Sequence, residues 1–289
     1  MSPTTAVVTI AHGRHRHLRR QHESLLAGEV RPDHYVVVAM ADPVLERWRP
    51  GGGLEPHAVR APEDDRGLPL AAARNLGFAV AIDAGADVVV GLDVDCMVGA
   101  ETVGAYRDAV LADPGVLWSG PVTYLPAAAR DCSPCDLAGL DDPHPARPAP
   151  RPGERSVGGD PDLFWSLSYA ASAAAWEEVG GFCEEYAGYG GEDTDLAQLW
   201  AASGRSLGWV GSARAYHQHH PTEEPPVQHL DDILRNGALF ARRWGRWPME
   251  GWLTQMERLG LVARSPDGQW VSRRVGQQVG QRVGQGVGR

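Results

Sequence analysis

Apolar runs alternate with helix-periodic segments through the first third of the chain, and this pattern predicts an α/β protein. Predicted strands lie at 6–10, 34–40 and 86–95, and predicted helices at 17–26 and 70–84. Gly85 is placed to end the second helix. Because the strands are apolar throughout and alternate with helices, we expect a mostly parallel central sheet with helices on both faces.

The pattern becomes less regular after residue 115. We predict a fourth strand near 116–124 and a helix that follows the acidic segment at 192 and ends near Gly204. Segment 129–162 is rich in proline and glycine, which predicts a flexible loop with a functional role. The predicted organisation is therefore a main domain over 1–222 that contains this loop, a C-terminal helical extension over 223–270 and a disordered low-complexity tail over 271–289.

Length and charge narrow the class of protein. A chain of 289 residues with 43% hydrophobic residues can bury a full core, and its net charge of −10 argues against nucleic acid or an anionic membrane surface as partner. The sequence contains no apolar run long enough to cross a bilayer and no secretion signal at its start, so we expect a cytoplasmic protein without an integral membrane segment.

A CxxC pair lies in the proline-rich segment. Cys132 and Cys135 have only His144 nearby as a further zinc ligand, whereas a structural zinc site normally has four protein ligands. The pair is therefore weak evidence for zinc.

Two aspartates, Asp93 and Asp95, follow the third predicted strand in "GLDVDCM". Ligands of open α/β sheets bind beyond the carboxyl ends of the strands. Protein carboxylates and substrate phosphates often bind the same Mg²⁺ or Mn²⁺ ion. A simple aspartate-rich turn at the end of a strand explains the same residues. The motif alone leaves both interpretations open.

Histidines are concentrated in two segments. "AYHQHH" carries His217, His219 and His220 after a predicted short strand, and an imidazole there is a candidate to complete an aspartate-based site for Mn²⁺ or Zn²⁺. A solvated histidine cluster is the alternative. In "HGRHRH", His12 lies at the end of the first strand, and the remainder is expected to be solvated.

The segment "YAGYGGEDTDLAQLW" places Glu192, Asp193 and Asp195 behind three glycines. Acidic residues in a first helical turn stabilise the helix, so these carboxylates need no catalytic role. The segment alone leaves a catalytic role open.

Taken in order, "AAARNLGFAVA", "VVVGLDVDCM", "GGF", "GYGGEDTDL" and a late histidine resemble the nucleotide-sugar glycosyltransferases of the GT-A fold. The nearest likeness is to glycosyltransferase family 2 and to the C-terminal motif of the galactosyltransferases, and it covers residues 4–222. The resemblance implies a Rossmann-like GT-A sheet. It also implies an inverting hexosyltransferase that uses a nucleotide-diphosphate sugar, with UDP as the expected nucleotide, and Mn²⁺ or Mg²⁺.

Through this resemblance, Asp95 corresponds to a metal ligand and Asp93 to a residue near the donor ribose and the metal. Arg74 and Asn75 correspond to an "RN" pair that contacts the donor. Asp42 is similar to the acid that recognises the nucleobase, although "AMADP" departs from the usual paired acids. We also expect His12 to contact the donor.

Among the later residues, the resemblance makes His217 the third metal ligand, with His219 as its rival, and Asp193 the general base. It places Gly191 and Glu192 at the sugar and acceptor, and Trp165 is expected to offer a flat surface to a sugar. "GYGGEDTDL" has Tyr189 where the galactosyltransferase motif usually has tryptophan, which leaves donor and acceptor preference open.

Two other functions are compatible with parts of the pattern. A sugar-phosphate nucleotidylyltransferase uses a related sheet and metal, but it needs a glycine-rich basic loop, whereas "TIAHGRHRH" has one glycine and no lysine. A non-catalytic nucleotide-sugar binding module would tolerate loss of the base, which this chain retains.

Overall fold

The computed structural model describes residues 3–273. The strands are β1 (Thr5–Ala11), β2 (His34–Ala39), β3 (Pro56–Arg60), β4 (Val88–Leu92), β5 (Cys96–Val98), β6 (Leu117–Ser119), β7 (Val122–Tyr124), β8 (Arg155–Val157), β9 (Ser168–Ser172), β10 (Leu207–Val210), β11 (Ala215–His217), β12 (Val262–Arg264) and β13 (Trp270–Ser272). The α-helices are α1 (His15–Ala27), α2 (Pro43–Glu46), α3 (Leu70–Asp83), α4 (Thr102–Ala112), α5 (Ala173–Val179), α6 (Glu192–Ala202), α7 (Leu230–Trp244) and α8 (Glu250–Arg258).

Eight strands form the main sheet in the order β3-β2-β1-β4-β9-β6-β10-β8. The strands β3, β2, β1 and β4 are parallel, β9 is antiparallel to both β4 and β6, and β8 is antiparallel to β10 at the edge. The predicted mixed α/β architecture with a mostly parallel central sheet is therefore confirmed.

The first strand explains why both faces of the sheet are covered. Side chains alternate between the two faces of a strand, so Val8 and Ile10 join the core beneath α3, whereas Val7 joins the core beneath α1 and α4. All seven residues of β1 are buried. Helix α3 packs closely on this sheet at Gly77, where an added Cβ would lie 2.3 Å from Cγ1 of Val8.

A second sheet, β5-β11-β7, lies beyond β4. Its central strand β11 pairs antiparallel with β5 and parallel with β7. Because β5 begins directly after the Asp93–Val94–Asp95 turn, this sheet places the end of β11 beside those aspartates.

The single strand predicted near 116–124 is wrong in detail, because two strands, β6 and β7, occupy this stretch and belong to different sheets. The backbone passes between the sheets at Gly120, where a Cβ would lie 1.8 Å from the carbonyl oxygen of Ala213. Only glycine fits there.

The proline-rich segment 129–162 contains a 3-10 helix, Pro134–Leu140, and strand β8 at the edge of the main sheet. Its predicted flexibility stays a prediction. The C-terminal extension contains α7, α8 and the β12-β13 hairpin, which share a hydrophobic cluster. Strand β13 includes the first two residues assigned to the tail, and 274–289 lie outside the described residues. No helix within 3–273 is long and apolar enough to span a membrane.

Candidate active site

Three side chains, from the turn before β5, the end of β11 and the loop that follows β11, form a compact cluster of potential metal ligands. Asp95, His217 and His220 each offer one ligand atom, and these atoms all lie within 4.8 Å of one another. His217 Nε2 is 3.4 Å from Oδ1 of Asp95, and His220 Nε2 is 3.3 Å from Oδ2. One carboxylate and two imidazoles suit Mn²⁺ or Zn²⁺, so the residues present fit a divalent cation.

The protonation states of this cluster suit metal binding. Burial lowers the pKa of His217, which favours the neutral imidazole that a metal requires. Burial acts to raise the pKa of Asp95, but the hydrogen bond from His220 and the interactions with His217 and Arg14 outweigh it and hold this pKa at about 2. Asp95 is therefore a carboxylate at neutral pH.

Sequence reasoning chose His219 as the rival of His217, whereas the structure brings His220 to Asp95. The reason lies in Gln218, whose backbone N–H donates to the Asp95 carbonyl oxygen at 2.7 Å. The Gln218 side chain is also held, because it donates to the His17 carbonyl oxygen and accepts from Arg20. The chain turns at this anchor, so His219 is exposed and His220 returns to the cluster.

Asp93 is paired with an arginine and does not belong to the compact cluster. Arg74 Nη2 donates to Oδ1 of Asp93 at 3.0 Å, and Nη1 donates to Oε1 of Glu192 at 3.0 Å. Burial raises the pKa of Asp93 to about 6, and the Asp95 charge adds to the rise while Arg74 opposes it. The sequence prediction placed Asp93 at both the metal and the donor; in this arrangement its nearest charge is Arg74.

The acidic segment starts α6 as expected. Gly191 precedes the helix with φ +93°, a left-handed conformation that glycine adopts without strain, and a Cβ there would lie 3.2 Å from the Tyr186 ring. Asp193 is half-buried and accepts from the Thr194 backbone N–H at 2.8 Å. Burial, followed by the Glu192 charge, raises the pKa of Asp193 to about 7. A carboxylate with this pKa is well matched to general-base chemistry near neutral pH.

Asp195 differs from Asp193 in its surroundings. It is fully buried and accepts hydrogen bonds from Arg243 Nε at 2.7 Å, Trp244 Nε1 at 2.7 Å and the Tyr186 hydroxyl at 3.1 Å. Through Arg243 and Trp244, Asp195 links α6 to α7.

Three of the predicted donor residues are engaged by the protein itself. Asp42 caps α2 and accepts from the Gly13 N–H at 2.9 Å, and His15 Nε2 lies 2.8 Å from the same carboxylate. His12 is exposed, with its Nδ1 2.8 Å from the Met40 carbonyl oxygen. Asn75 donates to the Phe182 carbonyl oxygen and accepts from the Phe182 N–H, so it holds the "GGF" turn.

Trp165 contacts the proline-rich segment, with its ring centroid 5.3 Å from that of His144. His144 lies 5.4 Å from Tyr124, which stacks on His217 at 4.6 Å, so an aromatic row runs from the segment to the metal cluster. Tyr124, Leu125 and His217 line a cleft of about 430 Å³ beside the cluster. Cys132, Cys135 and His144 do not form a metal-ligand cluster within 3–273.

Residues 163–221 match the protein family described as the N-terminal domain of galactosyltransferase. That stretch includes the acidic start of α6 and the late histidines, whereas β4 and its aspartates lie before it. No curated protein matches the sequence.

The fold is similar to two solved glycosyltransferase structures. A crystal structure of GalNAc-T7 with UDP, GalNAc and Mn²⁺ superimposes with a TM-score of 0.54 at 15% identity, covering 75% of this chain and 44% of that one. Residues 1–349 of TarS from S. aureus superimpose with a TM-score of 0.52 at 13% identity, covering 89% of this chain and 79% of that one. The chain has the GT-A fold.

The family match and the GT-A fold confirm the resemblance to glycosyltransferases that the sequence motifs indicated. It spans less than half of the GalNAc-T7 chain, so the likeness to that protein concerns the fold alone.

Proposed function

We propose that this GT-A protein is an inverting glycosyltransferase that moves a hexose from a UDP-sugar to an acceptor hydroxyl, with Mn²⁺ or Mg²⁺ as cofactor. One observation supports this most strongly. Arg74 joins Asp93, two residues before the candidate metal ligand Asp95, to Glu192, the residue next to the candidate base Asp193, so one arginine holds the two acidic segments together. The UDP and Mn²⁺ in the GalNAc-T7 structure agree with the proposed donor and metal.

In this proposal Asp95, His217 and His220 hold the cation. When bound, the cation neutralises charge on the departing diphosphate. Arg14 adds a fixed positive charge at the same place, because its Nη1 lies 3.8 Å from Asp95 Oδ2 while the side chain stays 35% exposed. Sequence reasoning missed Arg14, although it lies only three residues after the first strand, in "AHGRH".

Asp193 is assigned the role of general base. It accepts the proton of the acceptor hydroxyl while that oxygen bonds to the anomeric carbon and the bond to the diphosphate breaks. A single displacement of this kind inverts the anomeric centre and needs only one carboxylate. The pKa of about 7 leaves a substantial fraction of Asp193 ionised at neutral pH, while retaining enough basicity to take a proton.

A donor panel tests the proposal. The protein is incubated with UDP-, GDP- and dTDP-sugars and Mn²⁺, and nucleotide release is measured with and without a set of sugar acceptors. We expect release from UDP-sugars that stops with EDTA and returns with Mn²⁺. Release that is unchanged after complete chelation, or is absent with every donor, would contradict the proposal.

A further inference from the structure

Arg147 is a buried arginine whose guanidinium has no hydrogen-bond partner within 3–273. The residue is 5% exposed, and Nε, Nη1 and Nη2 all lack an acceptor. Burial of a charged group without a partner is strongly unfavourable because the group loses its hydration. The planar guanidinium fork is suited to carboxylate and phosphate oxygens. Arg147 therefore carries donors that an oxyanion would satisfy.

Two tryptophans flank this guanidinium. Its central carbon lies 5.0 Å from the ring centroid of Trp165 and 4.8 Å from that of Trp209. These contacts with aromatic rings offset part of the lost hydration, but they supply no hydrogen-bond acceptor. The indole Nε1 of Trp209 is likewise buried without a partner. The neighbourhood thus combines a positive charge with several free donors.

Arg147 lies close to the proposed reaction centre. Three residues earlier in the chain, His144 contacts Tyr124, which stacks on the candidate metal ligand His217. Burial lowers the pKa of Arg147 to about 10, and the nearby groups that oppose this effect include Tyr124 and Asp193. The guanidinium is therefore within electrostatic reach of the candidate base.

We propose that Arg147 binds a carboxylate or phosphate group carried by a sugar substrate. This inference rests on the proposed transferase function. The diphosphate of the donor is assigned above to the metal cluster and Arg14, so Arg147 is available for a second anionic group. That group belongs either to the transferred sugar, as in a uronic acid, or to the acceptor.

Calorimetry with matched ligands tests whether the anionic group that Arg147 binds belongs to the sugar donor. UDP-glucuronic acid and UDP-glucose differ only in a carboxylate in place of a hydroxymethyl group, and both are titrated into the protein with Mn²⁺. If the anion lies on the donor, wild type binds UDP-glucuronic acid about 10-fold or more tightly than UDP-glucose, the ratio expected for a hydrogen bond between charged groups. Arg147→Met removes this preference. Arg151→Met, an exposed arginine of the same segment, retains it.

A second set of titrations tests whether the anionic group belongs to the acceptor. Glucuronate, glucose 6-phosphate and glucose are titrated into the protein saturated with UDP and Mn²⁺. If the anion lies on the acceptor, the two charged sugars bind about 10-fold or more tightly than glucose to wild type and to Arg151→Met, and equally weakly to Arg147→Met. A preference for the anionic ligand in either arm that depends on Arg147 supports the inference.

Other outcomes overturn the inference. Should no UDP-sugar bind, the proposed function fails and this inference fails with it. If UDP-glucose binds but wild type shows no preference for an anionic sugar in either arm, only the inference is wrong. A purely structural Arg147 would make Arg147→Met melt several degrees lower without changing any ligand preference, whereas loss of an unpaired buried charge leaves the melting temperature unchanged or raised. Should that variant not fold, Arg147→Lys must still reduce the wild-type preference.

Discussion

Nη1 of Arg74 lies 3.0 Å from Oε1 of Glu192, and both side chains are more than nine-tenths buried. Because Nη2 of the same guanidinium donates to Asp93, the Arg74 side chain of α3 holds the end of β4 against the start of α6. The resemblance to known glycosyltransferases gave Arg74 a donor contact. In the structure its two terminal nitrogens donate to protein carboxylates, so Arg74 positions both acidic motifs, and the donor contact stays a prediction.

Replacement of Arg74 by methionine should therefore destabilise the protein strongly. The change leaves two buried carboxylates without their shared cation, and breaking a buried ion pair costs about 3–5 kcal/mol. Urea unfolding followed by circular dichroism measures the loss. Arg60→Met is the control, because Arg60 and its partner Glu63 are exposed and such pairs contribute at most about 1 kcal/mol. Equal losses in the two variants would show that the bridge does not hold the motifs together.

Asp193→Asn should separate a general base from a helix-stabilising acid. Asparagine keeps the size of the side chain but cannot take the proton, so single-turnover transfer should fall about 10²- to 10⁴-fold while UDP-sugar affinity stays unchanged. Asp231→Asn is the matched control, since Asp231 also lies in the first turn of a helix and is exposed. Transfer by Asp193→Asn at the wild-type rate would refute the assignment.

The pH dependence of the transfer rate follows from the same residue. Asp193 acts as a base only when ionised and its pKa is raised to about 7, so the rate should rise with pH and level off above that value. The stability of the protein should depend on pH in the opposite direction. A carboxyl whose folded pKa exceeds its unfolded value stabilises the protein at low pH, and this contribution is lost between about pH 4 and 7. Rate profiles and melting temperatures from pH 5 to 9 check both trends, and neither rate nor stability should keep this dependence in Asp193→Asn.

His220 and His219 provide a matched pair for the metal site. Only His220 lies in the cluster with Asp95, so His220→Ala should raise the Mn²⁺ concentration for half-maximal activity by about 10- to 100-fold, a range found even for outer-shell partners of metals. His219→Ala should leave it nearly unchanged. A Mn²⁺ titration of nucleotide release gives both values. Greater sensitivity of the His219 variant would favour His219, the alternative to His217 predicted from the sequence, over His220.

Only part of the metal cluster could be predicted from the sequence. Asp95 was found because it follows an apolar strand, and His217 because it matches the late histidine of the family resemblance; both signals are local and visible in the chain. His220 was missed because its place depends on the turn that Gln218 fixes through contacts with Asp95 and His17, which are distant in sequence. Its only signal was membership of the "HQHH" cluster.

The main sheet shows the same limit. Apolar runs revealed β1, β2 and β4, whose residues are buried on both faces. The short antiparallel edge strand β8 could not be recognised, because its residues are exposed and only its pairing with β10 makes it a strand. The sequence likewise gave no signal for Arg147, which is one of several arginines in the proline-rich segment. Its role depends on the fold, which buries it between Trp165 and Trp209.

Asp195 should matter for stability and not for chemistry, although it is only two residues from Asp193. Its carboxylate accepts hydrogen bonds from Arg243, Trp244 and Tyr186 while it is fully buried, so Asp195→Ala leaves a buried arginine-facing site without its anion. We expect a loss of about 3 kcal/mol or more in the free energy of unfolding, measured in urea. Asp83→Ala, at an exposed position on α3, should change stability by less than about 0.5 kcal/mol. At a temperature where the variant remains folded, the single-turnover rate should stay within a few-fold of wild type, because no oxygen of Asp195 is free for an acceptor. A variant of full stability that has lost transfer would instead place Asp195 at the acceptor and remove the argument for Asp193.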